Sequence, residues 1–343
     1  MKSIRLCAFV CTLVPLLSCE HASQRADVGA GLPKADLLQA LPGGWNDEVR
    51  QKLASWLEAA PASQRGPVAV FDFDNTCIRG DIGLAFFDYM ITGLKIKVSD
   101  EIWKQFPPDK REKIKAAWEA AEKLPAAERA QSTELATLRK LAHQAYWSLC
   151  LEEQHEKCFP WQVRFYAGYT PEEITALAEE VLNQQLAQLL GSQQLRAGPD
   201  DQEPAIMATG IRIHPEIQSL IELLGRRGFE VWLVSAGPQW VVQAGAARLG
   251  IPAQRVLGMR TRIEEGRLTT ETEPPVTFRR GKVEAIEKFI GARPYLAVGD
   301  SWADADMLEF AEHALLIDRG YADLREKAER LGWAIQPVFG SGK

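Results

Sequence analysis

The stretch VAVFDFDNTCIRGD, residues 68–81, decides how the rest of the chain is read. Val68 to Phe71 is a run of β-branched and aromatic residues of the kind that fills a buried strand, yet it runs straight into Asp72 and Asp74. Two residues apart on an extended chain, these acids share a face, while Phe73 turns the other way into packing. Carboxylates held that close raise a pKa unless a cation neutralises them, and acids ending a buried strand need a partner. The strand end therefore predicts a site whose remaining parts lie elsewhere in the chain.

Strand-like runs return in the second half, in EVWLVS (230–235), YLAVGD (295–300) and ALLID (314–318), separated by helical segments at 215–228 and 282–291. Such βαβα alternation predicts an α/β fold, a Rossmann-type parallel sheet with helices on both faces. TRIEEGRLTTE (261–271), with Glu265 and Gly266 at its centre, reads as a small hairpin. The region from about 90 to 205 has helical patterning and almost no strand signal. Within it Thr170, Pro171 and Glu173 form a helix start with a capping box. Residues 45–60 carry apolar side chains at helical spacing and are expected to pack on the main domain.

In parallel sheets ligands bind beyond the carboxyl ends of the strands. Besides Asp72 and Asp74, that edge receives Ser235-Ala236-Gly237 and Gly299-Asp300-Ser301 with Asp304, and Lys282 opens the helix before the 295–300 strand. Hard oxygen ligands without His or Cys suit Mg²⁺. Lys282, with Arg279 and Arg280 before it, stands at a helix start where the macrodipole disfavours positive charge, a conflict that a nearby anion resolves. Ser235 and the backbone N–H groups after it can cradle phosphate oxygens. Taken singly, Asp300 and Asp304 read as helix-entry acids, Ser235 as a helix-entry residue and Lys282 as a surface charge. Together, metal, lysine and amide donors describe a phosphoryl-transfer site.

Length and composition agree with a core plus an insert: 343 residues, 46% hydrophobic, 25% charged. A formal net charge of −6, with Lys and Arg scattered, leaves no footprint for nucleic acid. Lys2 and Arg5 precede an apolar run from Leu6 to Leu17, the pattern of an export signal and too short for a bilayer span. LLSC, ending at Cys19, resembles the lipobox of bacterial lipoproteins, which implies lipidation of Cys19, with simple cleavage and secretion as the alternative. The expected segments are a signal peptide at 1–18, a tether at 19–40, a catalytic core at 41–90 and 206–343, and a helical cap at 91–205. The expected location is the cell envelope, with membrane contact only through the lipid and no protein partner. An exported protein can keep disulfides, so Cys150 and Cys158 are either a pair or two buried thiols.

The chain is similar to the haloacid dehalogenase superfamily. That family's DxDx[TV] motif matches Asp72, Asp74 and Thr76; its strand-ending Ser or Thr matches Ser235; its Lys matches Lys282; its GDSxxD matches Gly299 to Asp304. The four occur in order over roughly 65–335, with the helical insert as the family's cap. The resemblance implies that Asp72 is a nucleophile forming an aspartyl-phosphate and that Asp74 is the general acid/base. It implies that Ser235 and Lys282 bind the phosphoryl group. It also implies Mg²⁺ held by Asp72, the Asp74 backbone carbonyl and Asp300, with Asp304 supporting from behind. Asp74 marks the phosphatase branch, since the dehalogenases lack it.

For the substrate, Asp81 stands where the phosphoserine phosphatase branch reads an ammonium group, and Trp302 inside the last motif is placed to line the entrance. The insert carries Trp103, Trp118, Tyr146, Trp147, Phe159, Trp161, Phe165, Tyr166 and Tyr169. Aromatic faces attract quaternary ammonium groups, although the same residues could form the insert's own core. The local strings look closest to bacterial phosphorylcholine phosphatases and their phosphoserine-phosphatase-like relatives. The expected function is Mg-dependent hydrolysis of a small phospho-amino-alcohol such as phosphorylcholine. The alternatives are a phosphoserine or broad-range acid phosphatase, and a non-catalytic lipoprotein that uses the fold for binding.

Overall fold

A computed structural model describes residues 33–61, 66–150 and 155–340. The expected signal peptide and Cys19 lie outside the described residues. Eleven strands are formed among those described: β1 (Val68–Phe71), β2 (Ile78–Arg79), β3 (Gly191–Leu195), β4 (Ala205–Thr209), β5 (Arg212–Ile213), β6 (Glu230–Pro238), β7 (Val256–Glu264), β8 (Arg267–Glu273), β9 (Leu296–Gly299), β10 (His313–Asp318) and β11 (Ala334–Pro337).

Seven of them make one sheet in the order β11-β10-β9-β1-β6-β7-β8. β1 runs parallel to both neighbours, Val68 facing Glu230 on β6 and Ala69 facing Leu296 on β9. Such an all-covered position explains its wholly buried, apolar sequence. Alternate residues serve two cores: Val68 and Val70 pack with Val234, Ile286 and Leu308 on one face. Ala69 and Phe71 pack with Leu220, Leu224 and Val241 on the other. Only β8 is antiparallel, joined to β7 through Glu265 and Gly266, whose φ values of 49° and 75° suit a two-residue hairpin turn.

The helix Asp47–Ala59 begins at Asn46, whose side chain accepts the N–H groups of Glu48 and Val49, and it buries Val49, Leu53 and Leu57. Before it, Lys34–Gln39 is also helical, with Leu37 and Leu41 fully buried. The expected tether at 19–40 is therefore shortened at its far end, where two leucines have a core to join.

The chain leaves the sheet through β2 and returns through β5, and these two strands pair antiparallel. Everything between is the insert. It opens with the helix Ile82–Thr92 and ends in the antiparallel hairpin β3–β4, so it extends beyond the expected 91–205 at both ends. The hairpin has no alternating apolar pattern, since four of the five residues of β3 are exposed, and nothing in Gly191–Leu195 announces a strand. The capping box at Thr170 is formed, with Glu173 reaching back to the Thr170 N–H. Cys150 and Cys158 are joined in a disulfide. No helix among the described residues is long and apolar enough to cross a membrane.

Candidate active site

The carboxyl edge of the sheet gathers the predicted residues around the end of β1. Asp72 donates its N–H to Val298 O on β9 and so continues the ladder by one residue. Its Oδ1 lies 2.6 Å from Lys282 Nζ, which is also 2.5 Å from Asp304 Oδ1. Lys282 has no exposed surface. Burial alone would lower its pKa, but the carboxylates of Asp304 and Asp72 more than offset that and hold it charged. The positive side chain at a helix start is explained by these two acids.

Asp304 is fully buried and uses both oxygens. Besides taking Lys282, it accepts the N–H groups of Asp300 and Ser301, both at 3.0 Å, and the Ser301 hydroxyl at 3.1 Å. That clamp requires Gly299, where a Cβ would come 2.5 Å from the Asp304 Cβ. Asp300 accepts from Thr76 Oγ1 at 2.8 Å and from Arg319 Nη1 at 3.0 Å. Carboxylate oxygens of Asp72, Asp300 and Asp304 lie within 4.8 Å of one another. Three hard donors so close fit a small divalent cation such as Mg²⁺. Because Asp304 is already saturated, Asp72 and Asp300 are the side chains that would hold the ion, with Asp304 orienting both Lys282 and the Asp300 backbone.

Asp74 faces the same space, its Oδ1 accepting the Ile82 N–H at 2.7 Å. Phe73 turns away against the helix Gln239–Arg248, so close that a Cβ at Gly245 would meet its ring at 2.1 Å. Burial, then the charges of Asp81 and Asp72, hold the Asp74 carboxyl well above the usual carboxylate range. Asp72 is likewise raised, by burial first, with Lys282 opposing. Ser235 is buried, its Oγ accepting the Gly237 N–H at 3.0 Å and its carbonyl taking the Thr277 hydroxyl at 2.6 Å. Gly237 is needed here: a Cβ would stand 3.0 Å from Asp74 Oδ2 and 3.2 Å from Ser235 Oγ. Asp72, Asp74, Ser235, Lys282, Asp300 and Asp304 thus form one cluster.

Above the cluster is a cavity of about 480 Å³ between sheet edge and insert, a size that takes a small organic ligand. Asp81 lines it as the N-cap of Ile82–Thr92, accepting the Leu84 N–H at 2.8 Å, and Trp302 lines it from the core while donating its indole N–H to Asp323. The insert's aromatic residues divide. Tyr146, Trp147 and Phe159 line the cavity. Trp103, Trp118, Trp161, Phe165 and Tyr166 are buried in the insert's own core, with Trp161 and Phe165 centroids 4.6 Å apart. Tyr169 points elsewhere, its hydroxyl donating to Lys95 O.

Several site residues escaped the sequence reading. Arg319 follows β10 directly and shares the ligand-binding edge, a position that the strand-end rule could have flagged. Thr277 carries no motif. Asp88 and His143 form a buried pair 3.0 Å apart in the insert, with Arg139 on the same carboxylate, and His143 reaches the cavity wall. They meet only through packing of two helices 51 to 55 residues apart in sequence.

Residues 69–309 match the family described as haloacid dehalogenase-like hydrolase. Over 122 residues the chain is 30% identical to a phosphoserine phosphatase of Streptomyces coelicolor, a match spanning 34% of this chain and 29% of that protein's length. Among solved structures, a functionally unknown protein from Anaerococcus prevotii superposes with a TM-score of 0.75 at 21% identity, covering 86% of this chain and 93% of the other, a likeness of fold.

Proposed function

The chain belongs to the haloacid dehalogenase-like hydrolases, and on that footing we propose that it hydrolyses phosphomonoesters by way of a phosphoryl group carried on Asp72. The observation that carries this reading is the Asp72–Lys282–Asp304 chain of contacts at 2.6 and 2.5 Å, with Asp74 opening on the same cavity.

In this reading the substrate phosphate enters between Ser235, the Gly237 turn and Lys282, whose donors offset its charge. An Asp72 oxygen attacks phosphorus and the ester oxygen leaves. Asp74, whose carboxyl burial and the neighbouring charges of Asp81 and Asp72 make easier to protonate, gives a proton to that oxygen and then, as carboxylate, takes one from the water that cleaves the acyl phosphate. Bound between Asp72 and Asp300, Mg²⁺ would supply the positive charge that keeps Asp72 ionised and offsets the transferring group.

For the leaving group we favour a small phospho-amino-alcohol such as phosphorylcholine: Asp81 supplies a negative charge on the cavity wall, and Tyr146, Trp147 and Phe159 supply aromatic faces. Phosphoserine is the second reading, favoured by the partial match to a phosphoserine phosphatase. We place the protein, by its first residues, at the cell envelope on a lipid attached to Cys19.

The test is phosphate release from phosphorylcholine, phosphoethanolamine, phosphoserine and p-nitrophenyl phosphate with and without Mg²⁺. We expect Mg²⁺-dependent turnover, the highest kcat/KM on an ammonium-bearing ester, and a loss of roughly 1000-fold or more with Asp72→Asn. No turnover on any ester would leave the fold as a binding module. Equal kcat/KM on all four would remove the ammonium reading alone.

A further inference from the structure

Each of the three clustered carboxylates already has a cation partner. Lys282 takes Asp72 and Asp304, and Arg319 takes Asp300 at 3.0 Å. The two cations differ in what they can do next. Lys282 is wholly enclosed and has no exit. Arg319 has a side chain 36% exposed, lies along the cavity beside Tyr321, and reaches a carboxylate that is itself 3% exposed. A guanidinium can therefore leave Asp300 for water at small cost to itself, whereas Asp300 cannot be left buried without a positive partner.

From this asymmetry we infer that Arg319 is a stand-in counter-ion: it keeps Asp300 paired while the site is empty of metal and is released when a divalent cation binds, so that it sets the site's apparent metal affinity. The inference rests on the proposed reading that Asp72 and Asp300 hold Mg²⁺. A guanidinium and a divalent cation on one carboxylate repel each other strongly in a site shielded from water. The other Asp300 oxygen keeps its Thr76 hydroxyl, which can turn, as a charged fork cannot. The freed guanidinium has water and the face of Tyr321, whose ring centroid is 5.9 Å away, to turn to.

The opposite role is just as definite. If Arg319 serves to orient Asp300 for the metal, removing it should weaken binding, as loss of a supporting hydrogen bond does. Titration calorimetry with Mg²⁺ alone separates the two. For Arg319→Gln we expect binding roughly fivefold tighter than wild type, the order expected for releasing a half-exposed ion pair. We also expect a lower melting temperature in EDTA that rises to the wild-type value at saturating Mg²⁺. Arg319→Lys, which keeps the charge, should bind Mg²⁺ more like wild type. Weaker or unchanged Mg²⁺ binding by Arg319→Gln, with binding still abolished by Asp300→Asn, overturns the counter-ion role while leaving the metal site standing. A wild-type protein that takes up no Mg²⁺ overturns both.

Discussion

Lys282 and Asp300 show how single residues are governed here by what surrounds them. Lys282 would be an unfavourable buried charge in any other place, and it stays charged because two carboxylates lie within 2.6 Å. Asp300 is raised to about 6, by burial first and by the charge of Asp304 second. The sign of its contribution follows. A carboxyl whose folded pKa exceeds its unfolded value of ~3.9 favours the fold below that value, and the contribution is lost as pH rises through about 6. In EDTA, the wild-type melting temperature should therefore fall, relative to Asp300→Asn, between about pH 4 and 6. Saturating Mg²⁺ at pH 7.5 should restore it, as ligand binding to the folded state requires. A pH-independent difference between the two proteins in EDTA would contradict this account of Asp300. At this scale the sequence was informative wherever chemistry forced a residue type: acids ending a buried strand had to have partners. For Arg319 the strand-end rule marks the edge but not the partner, which depends on where the backbone after Asp318 places one guanidinium.

At the scale of elements, the strands that make the site were legible because burial on both faces leaves a plain run of apolar residues ending in polar ones. The hairpin β3–β4 was not, since Gly191–Leu195 is polar and mostly exposed and gains its strand form from its partner rather than from a buried face. The insert's nine aromatic candidates looked like one group, yet five are packing, three are wall and Tyr169 turns to the Lys95 carbonyl. Which is which depends on the orientation of two helices, Thr133–Cys150 and His155–Val163. Those helices carry Tyr146, Trp147 and Phe159, and the Cys150–Cys158 disulfide ties them together. Cys150 itself lines the cavity. Replacing both cysteines by serine should lower stability by about 2 kcal/mol or more. It should also raise KM for the preferred ester several-fold while kcat stays within about twofold, because the wall moves and the sheet-edge residues do not. Steady-state kinetics and a melting curve on the double variant check this; a fall in kcat at constant KM would contradict it.

Over the whole molecule, the described residues divide between a central sheet and an insert. The sheet was predictable as a parallel α/β core, and its central strand β1, flanked by β6 and β9, brings together residues from four separate stretches of sequence. The insert is attached through the short β2–β5 ribbon and closes the cavity over Asp72 and Asp74. Its helical character was readable from periodicity, but its extent was not, because the two-residue strands that bound it are too short to leave a pattern. In the proposed function this arrangement puts the reacting groups on strand ends and leaves the wall facing the leaving group to the insert. In the proposed function, Asp72 becomes phosphorylated during turnover. Acid-quenching the enzyme during turnover of p-nitrophenyl phosphate with Mg²⁺, then locating modified peptides by mass spectrometry, tests it directly. One phosphoryl group is expected on the peptide containing Asp72, absent from Asp72→Asn. Turnover with no adduct on that peptide, or with an adduct on another residue, would contradict it.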